Sequence, residues 1–370
     1  MICNLFVLKY IDEFRDKSLI RRLIDEIAQH SDRNYRFMEV CGGHTMAIQR
    51  YGIPTLLPEN ISLLSGPGCP VCVTSKGFVD QAIAYSRMEG VTVTSYGDLL
   101  RVPGSSSSLE KERAEGQDIR IVYSLLDALH IAKQNPNKQV VFLGIGFETT
   151  APATAVGIVE AERQDISNFQ VLSAHKLMPP AMEAIVEEGV QLDGYLCPGH
   201  VSTITGKSIY EHIPENYGLG CVIAGFEPTD ILQSILMLIR QIDSQHPGVE
   251  IQYRRAVKPE GNVKAKSFMD EVFIERDDHW RGLGKIKDSG LGIREAYADF
   301  DAANKMPVEV PEVKEDNGCI CGEILKGLKN PLDCGLFGAS CTPIDPIGAC
   351  MVSSEGACQA YYKYKRYKSI

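Results

Sequence analysis

Two thiols three positions apart, Cys69 and Cys72, lie in the stretch Ser65-Gly66-Pro67-Gly68-Cys69-Pro70-Val71-Cys72. The apolar run Ile61-Ser62-Leu63-Leu64 precedes it and helical spacing follows over residues 75–89, so the pair is expected in a strand-to-helix turn. Such a turn leaves backbone N–H groups unpaired at a helix start, where they favour a thiolate and attract anions. Cys-Pro-x-Cys there suits a redox couple or two metal ligands. A buried structural pair is the plainer alternative, but core cysteines do not need this turn. A further candidate is Cys41-Gly42-Gly43-His44-Thr45. Gly42 and Gly43 remove side chains beside Cys41, so a bulky group could approach the backbone. Cys41, His44, Cys69 and Cys72 could form a zinc site of three thiolates and one imidazole. Alternatively Cys41 is a soft ligand to iron in an open site, with Cys69 and Cys72 as a redox pair. Both readings require the two loops to meet.

Six of the twelve cysteines fall between Cys319 and Cys358. A segment of about 40 residues rarely buries enough surface to fold alone, and metals or disulfides make up the deficit. Cys321, Cys334, Cys341 and Cys358 are separated by 12, 6 and 16 residues. None of these four forms the tight knuckle of a zinc ribbon, and thiolates gathered from scattered turns suit a cubane iron–sulfur cluster better. Zinc and free core thiols remain as alternatives. Cys319 and Cys350 are left over, and either could replace a neighbour.

The elements that must position these groups alternate along the chain. Short apolar runs at 35–40, 61–64, 91–95, 119–123, 140–144, 170–173, 194–196 and 221–224 are separated by helical stretches, which predicts an α/β protein with largely parallel sheets. An amphipathic helical region is expected over 8–30. Unusual polar clusters follow these runs directly: the Cys41 and Cys69 turns, Tyr96-Gly97-Asp98, Gly146-Phe147-Glu148-Thr149-Thr150, Ala174-His175-Lys176, Pro198-Gly199-His200-Val201-Ser202 and Gly225-Phe226-Glu227-Pro228. Ligands of parallel sheets bind beyond the carboxyl ends of strands, so the clusters are expected to face one cleft. Gly144-x-Gly146-x-x-Thr149 lacks the third glycine of a dinucleotide fingerprint and is discounted. Glu148 and Glu227 are acid/base candidates or, more ordinarily, partners of helix N-termini. His175 and His200 are cleft candidates or satisfied structural histidines. Gly-Phe-Glu recurs at 146–148 and 225–227, a faint echo of duplication. Past Ile242 the pattern breaks down, and Trp280-Arg281-Gly282-Leu283-Gly284 reads as irregular. Residues 306–317 read as an extended linker, and the basic tail 363–368 as a solvated last helix turn.

At 370 residues the chain is expected to form more than one domain. The expected division is an N-terminal helical region with a first α/β domain over 1–118, a second α/β domain over 119–250, and a third domain over 251–370. The serine-rich loop 102–118 supplies the first boundary. A net charge of −10 argues against a sequence-independent nucleic-acid binder. No apolar run approaches the ~18 residues of a membrane span, and the start lacks the marks of a signal peptide. Grouped cysteines without an export signal imply a reducing, cytoplasmic setting, where they bind metal or do redox chemistry. No nucleic acid and no membrane are expected as partners.

In order along the chain, the Cys41, Gly66–Cys72, Gly146–Thr150, Pro198–Ser202, Gly225–Pro228 and Trp280–Gly284 motifs, with the Cys-x12-Cys-x6-Cys-x16-Cys pattern, resemble the signatures of the HypD family of nickel–iron hydrogenase maturation factors. The match runs from about residue 36 to the last cysteine. The resemblance implies a scaffold that works with a small HypC-type chaperone, on which the iron–dicyano–carbonyl unit of a hydrogenase is built. It implies cyanide delivered as thiocyanate on the C-terminal cysteine of a HypE-type donor. It further implies two Rossmann-like domains beside a cleft, a small C-terminal domain with a 4Fe–4S cluster on Cys321, Cys334, Cys341 and Cys358, and an electron path like that of ferredoxin–thioredoxin reductase. A monomer is expected. On this reading Cys41 holds transient iron with cyanide and carbonyl ligands, a soft centre that prefers thiolate. His44 and glycine-turn N–H groups face the anionic cyanides. Cys69 and Cys72 cycle between dithiol and disulfide, and the cluster relays electrons to them. The rival is an iron–sulfur thiol/disulfide reductase without iron at Cys41, which leaves the Cys41 motif without a role; a zinc-stapled binding protein is a third reading.

Overall fold

The computed structural model describes residues 12–310, 313 and 318–364. The expected helical start is a short 3-10 turn, Asp12–Arg15, and a helix, Lys17–His30, capped by the Asp16 carboxylate accepting from Leu19 N at 2.8 Å; its residues before 12 lie outside the described ones. The tail at 365–368 and the linker at 311–312 and 314–317 also lie outside them.

All eight apolar runs are strands: β1 Tyr35–Glu39, β2 Ile61–Ser65, β3 Val91–Ser95, β4 Ile119–Ile121, β5 Gln139–Gly146, β6 Phe169–His175, β7 Gly194–Pro198 and β8 Gly220–Ala224. Three more are β9 Val249–Ile251, β10 Phe273–Trp280 and β11 Gly284–Ile293. One parallel sheet has the order β2-β1-β7-β8-β9 and a second the order β4-β3-β5-β6, while β10 and β11 form an antiparallel hairpin. Strands β3, β6, β7 and β8 are buried along their whole length. That burial on both faces is why they read as continuous apolar runs rather than alternating ones.

The sheets do not follow a division at residue 118. β3 and β4 flank the serine-rich loop yet pair in parallel, Val93 opposite Ile119. The chain lays down two strands of the first sheet, builds all of the second, and returns for β7 to β9. The loop is a crossover carrying a short helix, Leu109–Ala114, and is tied back where Ser105 N and Oγ both donate to the Asp80 carboxylate. Nor do residues past 251 have a core of their own: Trp280, Cys321, Cys350 and Cys358 share one buried cluster with Cys69, Cys72, Ile145 and Cys197.

The stretch read as irregular is the β10–β11 hairpin. It covers the ends of β5 and β6: Trp280 lies 6.0 Å from the Phe147 ring, and the buried Lys176 ammonium is held by Asp278 at 2.8 Å and the His279 carbonyl at 2.8 Å. At its turn, Arg281 N donates to Val73 O at 2.9 Å and its guanidinium donates to Thr74 O and Pro103 O, both at 3.0 Å. Beyond it, the Gly282 and Gly322 backbones cross so closely that a Cβ on Gly322 would stand 2.7 Å from Gly282 O and 3.0 Å from its Cα. The hairpin thus joins the Cys69–Cys72 segment to the first turn of the cysteine module. Gly322→Ala should lower thermal stability by about 1–3 kcal/mol, an overpacking cost against backbone that cannot yield. Gly335→Ala, where a Cβ meets nothing within 4 Å, should leave the melting temperature nearly unchanged in the same scan.

Candidate functional site

Cys41 follows β1 directly and stands as the N-cap of the helix Gly42–Tyr51 in extended conformation. β1 and β2 run parallel with Glu39 opposite Ser65, so the loops that leave them start side by side. Gly66 N donates to Glu39 O at 2.8 Å and Gly42 N to Gly68 O at 3.1 Å. A Cβ on Gly68 would stand 2.1 Å from Cys41 N and 2.3 Å from its Cα. This backbone contact brings the Cys-Pro-x-Cys turn against Cys41, and only glycine permits it.

The Cys41 sulfur lies 3.7 Å from His200 Nδ1, at the start of the helix Gly199–Thr205 after β7. The Gly43 and His44 backbone N–H groups turn toward it, yet burial outweighs them and pushes the thiol well above its ordinary range. Burial therefore favours the neutral thiol at Cys41. Phe226, from the loop after β8, stacks on His44 at 4.7 Å and lies 5.3 Å from His200. The space cleared by the glycines is not open: a Cβ on Gly43 would meet the Phe226 ring at 3.2 Å, and one on Gly42 would meet Glu355 Cβ at 2.4 Å. The groups that approach the backbone there belong to this chain. Beside them opens a cavity of about 340 Å³ walled by Arg15, Met46, Arg50, Tyr51, His200 and Glu355.

His44 does not present its Nε2 to that cavity. The ring is buried, with Nε2 3.0 Å from Gly225 O and 3.3 Å from Ala224 O, so Nε2 carries the proton and ties the helix to the end of β8. Burial, reinforced by His200, pushes its pKa down to about 4; Nδ1 is buried without a partner. Glu39 was missed in the sequence. It is buried, its pKa pushed up to about 8 by desolvation, and it accepts from Thr45 Oγ1 at 2.5 Å and Cys41 N at 3.1 Å. Its signal was an acid inside the apolar run Phe37-Met38-Glu39-Val40. Glu355 gave no signal.

Cys69 and Cys72 form a disulfide across the four-residue helix Pro70–Val73. With these two paired and His44 Nε2 committed to carbonyls, a three-thiolate, one-imidazole zinc site is not formed. Cys72 Sγ faces Ala349 O at 3.9 Å, so the disulfide abuts the C-terminal module. There the Cys321 thiol is held low because Cys319, Cys350 and Cys358 can donate to its sulfur, and those three are pushed up by the same contacts. Cys341 accepts from Ile347 N at 3.4 Å. The half-buried Cys334 is not in this hydrogen-bonded set. A donor set of thiols alone fits an iron–sulfur cluster rather than a hard cation. Hydrogen-bonded thiols are closer together than cubane ligands, and among the described residues no three His, Cys, Asp or Glu side chains are placed to hold a single metal ion.

The Gly146–Thr150 and Ala174–Lys176 clusters do not line the Cys41 cavity, because the β10–β11 hairpin covers the ends of β5 and β6. Glu148 accepts from Met178 N at 2.9 Å at the start of the helix Met178–Glu187, the ordinary role for a strand-end glutamate. His175 lies between Thr154 Oγ1 at 3.2 Å and Ser173 Oγ at 3.3 Å. The discounted fingerprint also has a structural reason: a Cβ on Gly144 would strike the His175 ring at 2.8 Å, and Gly146, at φ +142°, packs on Thr150.

Comparison with known proteins gives one consistent result. Residues 18–365 match the profile of the family HypD, described as "Hydrogenase formation hypA family". The chain is 50% identical over 371 residues to a hydrogenase maturation factor HypD of Azotobacter vinelandii, covering 98% of each chain. It is 47% identical to the protein of that name from Cupriavidus necator (98% of this chain, 99% of the other) and 45% identical to that from Rhodobacter capsulatus (96% and 98%).

Gly68→Ala should displace the Cys41 loop at a cost of about 3 kcal/mol, the upper end for overpacking, read as a lower melting temperature together with faster alkylation of Cys41. Glu148 gives a pH signature. Its folded pKa is pushed up by burial from 4.5 to about 7, so the folded state holds a proton that the unfolded chain has already released. Stability should fall as pH rises from about 4.5 to about 7, by on the order of 3 kcal/mol. Glu148→Gln should remove its share of that slope in urea titrations across the range, leaving the share of buried Glu39, whose pKa is pushed up to about 8.

Proposed function

Because the chain belongs to the HypD family of hydrogenase-formation proteins, we propose that it is the scaffold on which the iron–dicyano–carbonyl unit of a nickel–iron hydrogenase is assembled. A HypC-type chaperone pairs with it to form that scaffold, and a HypE-type donor brings cyanide as a thiocyanate. The observation that carries this reading is the Cys41 thiol, sulfur against His200 Nδ1 at 3.7 Å, beside a cavity and directly against the turn that holds the Cys69–Cys72 disulfide.

Cys41 binds the incoming iron as thiolate, the charge of the metal offsetting the burial that otherwise keeps the thiol protonated. The N–H groups of Gly43 and His44 lie at the start of the helix, where anionic ligands are favoured. Phe226 and His200 wall the cavity and limit water. Release of cyanide is a reduction. The thiocyanate R–S–CN takes two electrons and a proton to give R–SH and CN⁻, while the Cys69 and Cys72 thiols lose two electrons and two protons to form the disulfide; one proton is left over. A Cys69–Cys72 disulfide, the pairing these two cysteines make in the structure, is what such a step would leave. Cys321, Cys334, Cys341 and Cys358 would hold a 4Fe–4S cluster, which when bound supplies electrons that return the disulfide to the dithiol.

Protein purified without oxygen should contain about four irons with matching sulfide, as a cubane requires, and additional iron with infrared bands of cyanide and carbonyl. Cys41→Ala should remove those bands and the extra iron while leaving the cluster absorbance intact. Loss of both together would point to one shared structural site, and zinc without sulfide would sink the redox mechanism.

A further inference from the structure

The helix Gly42–Tyr51 turns one face to the cavity beside Cys41. Gly43, Met46, Ala47 and Arg50 all wall it, at the i, i+3, i+4 and i+7 spacing of neighbours on a helix face. His200 and Phe226 wall the end near Gly43, and the same His200 ring has its Nδ1 3.7 Å from the Cys41 sulfur. Seven residues of helix carry the floor about 10 Å from Gly43 to Arg50. The cavity, about 340 Å³, is thus a short groove that leads from the neighbourhood of the thiol to a guanidinium. Two arginines wall it, and they differ. Arg15 is held by the Glu227 carboxylate, through Nε at 2.5 Å and Nη2 at 2.8 Å. Arg50 is exposed; among the described residues its guanidinium has no hydrogen-bond or ion-pair partner and lies 5.6 Å from the Tyr51 ring.

We propose that this groove seats the C-terminal residue of the chain that delivers ligands to Cys41, with its side chain directed inward to His200 and its α-carboxylate held by Arg50. A planar guanidinium fork matches a carboxylate through two parallel hydrogen bonds, and Arg50 is the guanidinium left without a carboxylate of its own. A more highly charged anion would also meet Glu227 and Glu355 in the same walls, which favours a single negative charge. A chain terminus fits for a geometric reason. Only in a C-terminal residue do a reactive side chain and the main-chain carboxylate leave the same Cα, so one can point to Cys41 while the other points along the helix. An extended chain advances ~3.3–3.6 Å per residue, so the groove holds no more than the last few residues and the rest of the donor stays outside. The inference deepens the scaffold reading, on which it rests for the identity of the arriving chain. It assigns the selection of that chain to Arg50.

The test uses the full chain and one fluorescein-labelled pentapeptide ending in S-methylcysteine, made as the free acid and as the C-terminal amide. Its blocked sulfur cannot exchange with the Cys69–Cys72 disulfide. Fluorescence anisotropy should show the acid binding about 10- to 100-fold more tightly than the amide, the range for hydrogen bonds to a charged group. Arg50→Gln should bind both forms alike, at the level the amide has on the wild type. Arg50→Lys keeps the charge but loses the fork, and should restore part of the preference. Arg50 is exposed and makes no hydrogen bond, so both variants should melt with the wild type. Equal binding of acid and amide to the wild type would overturn the proposal. So would failure of the acid to saturate at millimolar concentration, or a preference that survives in Arg50→Gln. Cys41→Ala should keep the preference while losing the cyanide and carbonyl bands. Preference without those bands in the wild type would remove the scaffold reading alone, and bands without the preference would remove only the seat at Arg50.

Discussion

The closest backbone approach around Cys41 is that of Gly68, with no room between them for even one carbon. It follows from two neighbouring parallel strands ending in register, Glu39 beside Ser65, so that the turns leaving them must share the same few ångströms. A side chain on Gly68 would push the turns apart, and the disulfide would lose its place beside the thiol. The other walls of the site are fitted around that contact: His200 from the end of β7, Phe226 from the end of β8, and Glu355 from the C-terminal module. A site assembled from five chain segments is held by its tightest pair.

Electrostatically the site is kept neutral. Cys41 is a thiol, His44 is an unprotonated imidazole well below its ordinary pKa, and Glu39 is pushed toward its acid form. Desolvation is the leading cause in each, because a charge buried without a partner is far more costly than a proton retained. The charged side chains around them, Arg15, Arg50 and Glu355, wall the adjoining cavity, while the groups that turn toward the Cys41 sulfur are backbone N–H donors at a helix start. The buried charges that do exist are paired elsewhere: Lys176 with Asp278 beneath the hairpin, and Asp230 with Arg255 beneath the loop that carries Phe226. They hold the frame, so the cavity does not have to.

Most of the secondary structure was legible. The eight strands showed as apolar runs, most plainly β3, β6, β7 and β8, which are covered on both faces, and the motifs stood out because each begins where such a run ends. The hairpin was not legible for the opposite reason. β10 exposes Glu275, Arg276 and Asp277 in succession, with only Phe273 and Trp280 buried at its two ends, so no period-two pattern marks it as a strand. Its existence depends on Trp280, Lys176 and Phe147 meeting from distant parts of the chain. Of the seven strand-end clusters expected to face one cleft, those after β5 and β6 lie under that same hairpin and away from the Cys41 cavity.

What the sequence determined by itself was local: where strands end, where turns require glycine, which sulfurs are close in the chain, and a set of motifs specific enough to indicate the family. These follow from burial and backbone conformation, which act over a few residues. Tertiary structure alone decided which strands share a sheet, since pairing between β1 and β7 is indifferent to the residues that intervene. It also decided that His44 turns to the Ala224 and Gly225 carbonyls while His200 turns to Cys41, and that the Ala349 carbonyl comes to face Cys72 of the disulfide. A side chain's partner is set by packing from segments hundreds of residues away, and no spacing along the chain encodes that distance.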